Sequence, residues 1–495
     1  MSTVPRAARS EAGEEASGKT GGPKDLRHFI RQVVRHLPGS IKHVIREIDP
    51  CFGCTALAER FARRNEYPAM FFEKVKGSRL PVMINLTATQ ERLALALGTT
   101  VEEMVSTYGE LLAHGIPPVE VEVDEAPVKQ VVWQGADADL NRLPIPTHNA
   151  KDAGPYVTGG MGITRDLETG TINMGLYRHQ VHSRNELGVW FIKNHHGAYI
   201  WQNYEEQSRP MPIAIAVGHH PALLLGAVSK IRGVGGEYDA AGALLGEPVR
   251  VVRAEDSDLL VPADAEIVIE GEVLPNVHRE EGPFGEWPGH YMAGGPKPVI
   301  KVSTITLRSD AIYHDVFSAN REHLLMGSLP RMGSVFRTVK DVVPGLTAVN
   351  IPSHSRMHCY ISIKKKFDEE VKKAAFTALT TAAQNLRMVV VVDDDINVYN
   401  DGDVLWAIGT RFDAERDLLV IPRWSGPGGL QPAGWEYHED GSRSPRMITA
   451  MVLDATKPAP PIPYPERAAV PQEAVEAADE TGIADLTELP QTKVE

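Results

Sequence analysis

The chain has 495 residues, 42% of them hydrophobic, and a formal net charge of -14. That length supports two or three domains with real cores and excludes a miniature held by disulfides, while the acidic balance argues against nucleic acid or anionic membrane as partners and leaves small molecules. Only Cys51, Cys54 and Cys359 are present, which fits a reducing compartment; with no apolar signal region or spanning run, a cytoplasmic protein is expected.

Residues 1–22 are polar and rich in Gly, Ala and Ser, and read as a disordered tail. Leu26, Phe29, Ile30, Val33, Val34 and Leu37 then recur at helical spacing behind Asp25, a suitable N-cap, until Pro38-Gly39 stops the run. A helix over Ala56–Arg64, a strand over Met70–Val75, and helices over Glu91–Gly98 and Val101–His114 complete an N-terminal α/β module, residues 23–118. From Val119 the signal turns to strands separated by Gly, Pro and Asp: Val128–Trp133, Ile213–Val217, Val249–Val252, Ile267–Val273, Val299–Leu307 and Ile312–Phe317. Such spacing predicts a barrel or closed sheet over 119–328. A βαβ pattern follows in 329–456: a strand at Cys359–Ile363, a helix over Phe367–Leu386, the apolar run Met388–Val392 and a helix over Val404–Thr410. Asp393-Asp394-Asp395 closes the buried strand and reads equally as a solvated turn or a functional loop. Residues 457–495 form a Pro-rich linker and acidic tail.

The most informative segment is Glu281-Gly-Pro-Phe-Gly-Glu286, with Asn173-Met-Gly-Leu-Tyr-Arg178 far upstream. Two Gly and one Pro in six residues forbid a helix, so two glutamates flank a loop, where catalytic groups concentrate on rigid scaffolds. They read as an acid, a base and a charge partner. Arg178 could pair with Glu281 or hold a substrate carboxylate; an ordinary structural ion pair is the alternative. Asn173, His196 in Lys193-Asn-His-His196, and Glu237 after Gly233-Val-Gly-Gly236 offer an amide oxygen, an imidazole and a carboxylate. That set suits Mn²⁺ or Mg²⁺, and surface polar residues are the plainer reading. Lys364 could reach a phosphate or belong to a solvated basic run with Lys365 and Lys366. Cys51-Phe-Gly-Cys54 lacks the partners of a zinc site and the strand context of a redox pair, and reads as buried or incidental thiols. The pairs His195-His196 and His219-His220 stay ambiguous.

Read in order, these pieces resemble the UbiD family of reversible, flavin-dependent decarboxylases. The likeness runs over residues 25–455 through Leu143-Pro-Ile-Pro-Thr-His148, Asp152-Ala-Gly-Pro-Tyr156, Ile172-Asn-Met-Gly-Leu-Tyr-Arg178, Lys193-Asn-His-His196 and Gly242-Ala-Leu-Leu-Gly-Glu247. It continues through Glu281-Gly-Pro-Phe-Gly-Glu286, Arg321-Glu-His-Leu-Leu-Met-Gly327 and Asp393-Asp-Asp-Ile-Asn397 with Trp406-Ala. The resemblance implies an α/β (α+β) fold: a split β-barrel flavin-binding domain, then a C-terminal α/β oligomerisation domain joined through a long helix. It implies prenylated FMN with Mn²⁺ (or Mg²⁺) on Asn173, His196 and Glu237, and K⁺ near Met174, Ala227 and Glu237. The flavin would contact Asn173, Met174, Gly175, Leu176, Tyr177, Arg178, His195 and His196, with Lys364 at its phosphate. Arg178, Glu281 and Glu286 would be catalytic, with Glu286 the proton donor through a carboxyl whose pKa is raised by burial, in a reaction by way of a covalent cofactor–substrate adduct. Glu280 beside Glu281 leaves a one-residue ambiguity. By analogy His195, Glu322, His323 and Met326 line a substrate pocket suited to a hydroxylated, heteroaromatic or second-carboxylate-bearing acid. A UbiX-type prenyltransferase would supply the flavin to a homodimer or homohexamer. Rival readings are an ordinary FMN oxidoreductase and a non-catalytic UbiD-like subunit of a multisubunit carboxylase.

Overall fold

The structure, a computed structural model, describes residues 22–192, 195–229, 236–292, 294–381, 386–425 and 432–480. Lys193, Asn194, Gly233–Gly235 and the expected tails at 1–21 and 481–495 lie outside them.

The first helix is Leu26–His36, and Asp25 caps it by accepting from the His28 N–H at 2.7 Å. Its apolar stripe, Leu26, Phe29 and Val33, is fully withdrawn from water. The expected second helix begins earlier, at Gly53, and spans Gly53–Ala62. Helices Gln90–Ala96 and Met104–Leu111 follow as expected. A four-stranded sheet runs Ile41–Val44, Ala69–Phe72, Val82–Ile84, Tyr313–His314. The last member corrects an expectation: Ile312–Phe317 is not a barrel strand, because Tyr313–His314 leaves the barrel and pairs in parallel with Val82–Ile84. The N-terminal module is thereby stitched to the central domain.

The central domain is a curled nine-stranded antiparallel sheet. Its order is Tyr156–Val157, His179–Ser183, Glu186–Val189, Gly295–Leu307, Ile267–Glu281, Met211–Val217, Gly160–Arg165 and Ile172–Leu176, with Val131–Gln134 also on Gly295–Leu307. Connectivity requires the curl. Ile172–Leu176 lies at one end of this order and His179–Ser183 next to the other, yet only Tyr177 and Arg178 separate them. Three peptide steps reach at most about 11 Å. The two ends of the sheet must therefore approach one another, and Arg178 sits at the seam.

Both faces of the sheet are covered, which is why Met211–Val217 reads as an unbroken apolar run. Ile213, Ile215 and Val217 join one cluster with Met70, Phe72 and Ile84 of the N-terminal module. Ala214 and Ala216 face the other way, toward Leu223, Leu224 and Ala241 of helices Pro221–Ala227 and Gly236–Leu245. Successive side chains of a strand alternate faces, so small residues fall on the helix side.

Helix Arg321–Val342 runs unbroken through the boundary expected at 328. Pro330 lies inside it and removes one backbone donor, but Leu325, Leu329, Met332, Val335 and Val339 are all buried along one side. Tertiary burial outweighs the local break, since one buried leucine contributes about 1.5–3 kcal/mol. Beyond it lies a five-stranded sheet ordered Leu346–Asn350, His358–Ile363, Met388–Asp393, Ile448–Ala455, Leu418–Ser425. His358–Ile363, helix Glu369–Thr381 and Met388–Asp393 form the expected βαβ unit with parallel strands. Asp393 and Asp395 serve structure: both pair with Arg411 at 2.8 Å, and Asp395 also takes Lys457. A short helix, Gln472–Glu480, lies in the span expected to be a solvated terminus.

Buried His148 ties its own segment to that of residues 315–318, its Nε2 at 2.7 Å from Asp315 and its Nδ1 at 3.0 Å from Ser318. Burial works against its charged form, but the Asp315 carboxylate prevails and raises its pKa. A raised folded-state pKa gives stability that is complete below the unfolded value, about 6.5, and is lost as pH rises through the folded value. Wild-type melting temperature should therefore fall as pH rises from 6.5, and His148→Gln should flatten that slope; parallel profiles would disprove the coupling.

Candidate active site

Three segments converge at the seam. Arg178 stands between the two approaching strands. Glu281 ends the long strand Ile267–Glu281, and Glu286 follows the two-residue strand Phe284–Gly285, which pairs with Tyr291–Met292. The expected loop is thus one arm of a tight hairpin that turns between Glu286 and His290. Strand alternation resolves the one-residue ambiguity: Glu280 points to solvent, whereas Glu281 is 2% exposed.

The two carboxylates are engaged unequally. Glu281 receives Arg178 Nε and Nη2, both at 2.8 Å, in a bidentate fork. Glu286 uses one oxygen for Arg178 Nη1 and the other for the Trp287 N–H at 3.2 Å. Glu281 is committed to the cation through both oxygens, and Glu286 through one. Burial pulls the Arg178 pKa down, but its bonds to Glu281 and the Glu286 charge prevail and hold it above the ordinary value. The guanidinium also lies 3.9 Å from the Trp190 ring centroid and 4.9 Å from that of Phe284.

Surrounding groups fix the hairpin. Asp152 accepts from the Gly285 N–H at 2.8 Å, and Gln180 from the Gly282 N–H at 3.1 Å. Opposite Glu281 the chain needs glycine, since a Cβ on Gly294 would overlap the Glu281 carbonyl.

Two of the three expected metal ligands, Asn173 and Glu237, meet. The Glu237 carboxylate accepts from Asn173 Nδ2 at 3.1 Å and the Met174 N–H at 3.2 Å, and Tyr177 Oη donates to Asn173 Oδ1 at 3.1 Å. Burial raises the Glu237 pKa, opposed by the Met174 N–H and the nearby His196 charge. His196 is the exposed first residue of helix His196–Glu206, with His195 as its N-cap. A half-turn of the Asn173 amide would set its oxygen beside Glu237, so the donor set fits a divalent cation that favours oxygen and imidazole. Met174 and Ala227 share one apolar cluster, which also holds Met326.

Other expected site residues lie elsewhere. Glu322 is fully buried and accepts from the N–H groups of Asn85, Thr87 and Phe317 at 2.8–3.2 Å, so it braces the start of the long helix and does not line a pocket. Its neighbour in sequence, His323, does face the site: its pKa responds to burial first, then to the charges of Arg356, His148 and Arg178, all lowering it. Lys364 is exposed at the end of His358–Ile363, and no hydrogen bond or ion pair of its side chain among the described residues joins it to the barrel. Cys54 is buried, its thiol pushed up to about 12, and Cys51 is exposed and unbridged. His219 and His220 are buried struts, His220 accepting from the Ala222 N–H at the start of Pro221–Ala227. Arg356 was not foreseen, because it belongs to a loop of the C-terminal domain 70 residues past Glu286 with no motif around it.

A buried arginine shared by two glutamates thus closes the seam of the curled sheet, and comparison with known proteins supports a decarboxylase of the flavin-dependent class. Family profiles described as the N-terminal, Rift-related and C-terminal domains of 3-octaprenyl-4-hydroxybenzoate carboxy-lyase match residues 38–112, 119–321 and 324–434. The chain belongs to the UbiD family. It is similar to the UbiD-class enzyme HmfF from Pelotomaculum thermopropionicum in complex with FMN, at 35% identity and TM-score 0.84, covering 92% of this chain and 99% of that one. An evolved dimeric form of HmfF in complex with prFMN matches at 34% identity and TM-score 0.81, covering 92% and 100%. The apo 3,4-dihydroxybenzoic acid decarboxylase AroY of Klebsiella pneumoniae matches at 26% and 0.83, covering 92% and 99%. No helix among the described residues is long and apolar enough to cross a membrane.

Arg178→Ala would strand two buried carboxylates and is expected to cost about 3–5 kcal/mol of stability, read by urea unfolding. Gly294→Ala should destabilise as well, by forcing the hairpin off Glu281. Wild-type stability in both would show that the network does not hold the seam.

Proposed function

We propose that this chain catalyses the reversible, non-oxidative decarboxylation of an aromatic, heteroaromatic or α,β-unsaturated carboxylic acid, using prenylated FMN with Mn²⁺ (or Mg²⁺) and K⁺. The observation that carries this reading is the unequal engagement of Glu281 and Glu286 by one buried arginine. Losing CO₂ from an sp² carbon leaves an electron pair in the ring or alkene plane, where conjugation cannot spread it. General acid–base help contributes about 10²–10⁴-fold, well short of a typical enzymatic acceleration. Prenylated FMN, when bound, supplies the electron sink that this chain's side chains lack.

The chain's own groups then divide the work. Glu281, gripped through both oxygens by Arg178, keeps its carboxylate beside the reacting carboxylate and favours its departure as neutral CO₂. Glu286, with one oxygen bound only by the Trp287 N–H, can carry a proton at that oxygen and deliver it to the vacated carbon. Arg178, wedged between Trp190 and Phe284, holds both carboxylates in register. Asn173, His196 and Glu237 would hold the divalent ion, and backbone oxygens near Met174 and Ala227, with Glu237, the monovalent one. The flavin would be supplied by a UbiX-type prenyltransferase, and self-association through the C-terminal domain would give a homodimer or homohexamer.

The test is the absorbance spectrum and mass of the cofactor released after co-expression with a UbiX-type prenyltransferase, followed by CO₂ release from a panel of aromatic and unsaturated acids. Prenylated FMN with CO₂ release is the expected result; plain FMN with redox activity would favour an oxidoreductase, and no flavin a non-catalytic subunit. Glu286→Gln should abolish turnover and retain flavin, and full activity would overturn its role as acid. Glu237→Ala should lose metal and flavin together, measured by elemental analysis and absorbance; unchanged metal content would place that site elsewhere.

A further inference from the structure

Neither Gly282 nor Gly285 of the acid segment has a positive φ, so turn geometry does not require them. Close approach does. A Cβ on Gly282 would overlap the Cβ of Ala153, and one on Gly285 would crowd Asn149 Nδ2. Both glycines make room for one neighbouring segment, residues 149–153, and three successive residues of it bond to the hairpin. The Lys151 N–H donates to Tyr291 Oη at 3.1 Å on the returning arm, and the Ala153 N–H to the Pro283 carbonyl at 3.0 Å on the outgoing arm. Between them Asp152 Oδ1 accepts from the Gly285 N–H at 2.8 Å, one residue before Glu286. Its Oδ2 accepts from the Asn149 N–H at 2.8 Å and from Asn149 Nδ2 at 3.2 Å, so both oxygens are engaged.

The segment is tied down on both sides. Upstream, the Phe52 N–H donates to the Thr147 carbonyl at 3.0 Å and Thr55 Oγ1 to the His148 carbonyl at 2.9 Å, two ties from the N-terminal module. Downstream, Tyr156–Val157 pairs with His179–Ser183, the strand that Arg178 leads into. Asp152 therefore fixes the backbone at 285 relative to the arginine, as a side chain locked by its own neighbours can. That placement matters because Glu281 and Glu286 are the same residue type and differ only in where their backbones stand. Arg178 meets Glu281 through two oxygens and Glu286 through one. A hairpin free to move toward the guanidinium would let Glu286 close a second fork, and a carboxylate bound through both oxygens by a cation is a poor proton donor.

We infer that Asp152 is a positioning residue of the reaction: through the Gly285 N–H it holds the hairpin so that Glu286 meets Arg178 with a single oxygen and keeps the other for the proton. This deepens the decarboxylase reading and rests on it for the role of Glu286.

The test uses the flavin-loaded enzyme. Asp152→Ala should lose roughly 100-fold in kcat, the scale of a small misplacement of a reacting group, with KM little changed. Its solvent deuterium isotope effect on kcat should rise, because proton delivery becomes the slow step; a mere loss of folded protein would lower kcat and leave that ratio where it was. Asp152→Asn, which keeps an acceptor for the Gly285 N–H, should recover part of the rate. A methyl exchange checks the close approach: Gly282→Ala should lower kcat, and adding Ala153→Gly should restore most of it. Independently of turnover, amide hydrogen exchange over residues 281–292 should quicken in Asp152→Ala. Wild-type kcat in Asp152→Ala, an unmoved isotope effect or unchanged exchange would overturn the inference and leave the decarboxylase standing. Quickened exchange in Asp152→Ala of a chain whose wild type releases CO₂ from no acid would uphold the hold on the hairpin and overturn the decarboxylase.

Discussion

The buried pairing of Arg178 with Glu281 and Glu286 is the constraint around which the central domain is arranged. One cation and two carboxylates can leave water only if each meets its partner, because an unpaired buried charge costs several kcal/mol. Arg178 lies on a two-residue link between opposite ends of the sheet, while the glutamates stand at the two ends of one hairpin. Satisfying the charges therefore closes the curl of the sheet and seats the hairpin in a single step. Asp152, Gln180 and the glycine at 294 are consequences: they hold the hairpin's backbone where the arginine needs it.

Buried charges elsewhere show what a purely structural solution looks like. Glu322 spends its oxygens on three backbone donors from two segments; Arg92 gives its guanidinium to the carbonyls of Tyr67, Asn85 and Leu86 and to Ser40. Arg411 is shared between Asp393 and Asp395. Each finds its charge or hydrogen-bond partners within the chain, although Arg411 Nε has none among the described residues. Glu281 and Glu286 differ in the extent of their engagement, the first held by Arg178 through both oxygens and the second through one.

Much of this was legible in the residues. Asp25 ahead of a 3.6-residue stripe marked the first helix, two Gly and a Pro marked the non-helical acid segment, and the ordered motifs pointed to the family. Other residues misled. Glu322 follows Arg321 in a motif-bearing segment, but as the second residue of a helix its side chain turns inward beneath the loop at 85–87, while His323, one position on, turns to the site. Pro330 and the Ile312–Phe317 run gave local signals that burial and cross-domain pairing overrode.

The sequence by itself determined the elements, their broad layering, the family and the chemical types at the centre, since these follow from periodicity, turn residues and short-range motif spacing. Only the tertiary structure decided which groups meet: that Glu281 is bidentate and Glu286 is not, and that Arg356 of the C-terminal domain comes to the Trp287 ring. Those relations join residues about 70 to more than 100 positions apart, and they are fixed by strand register, helix phase and the closing of the sheet, which no local pattern encodes.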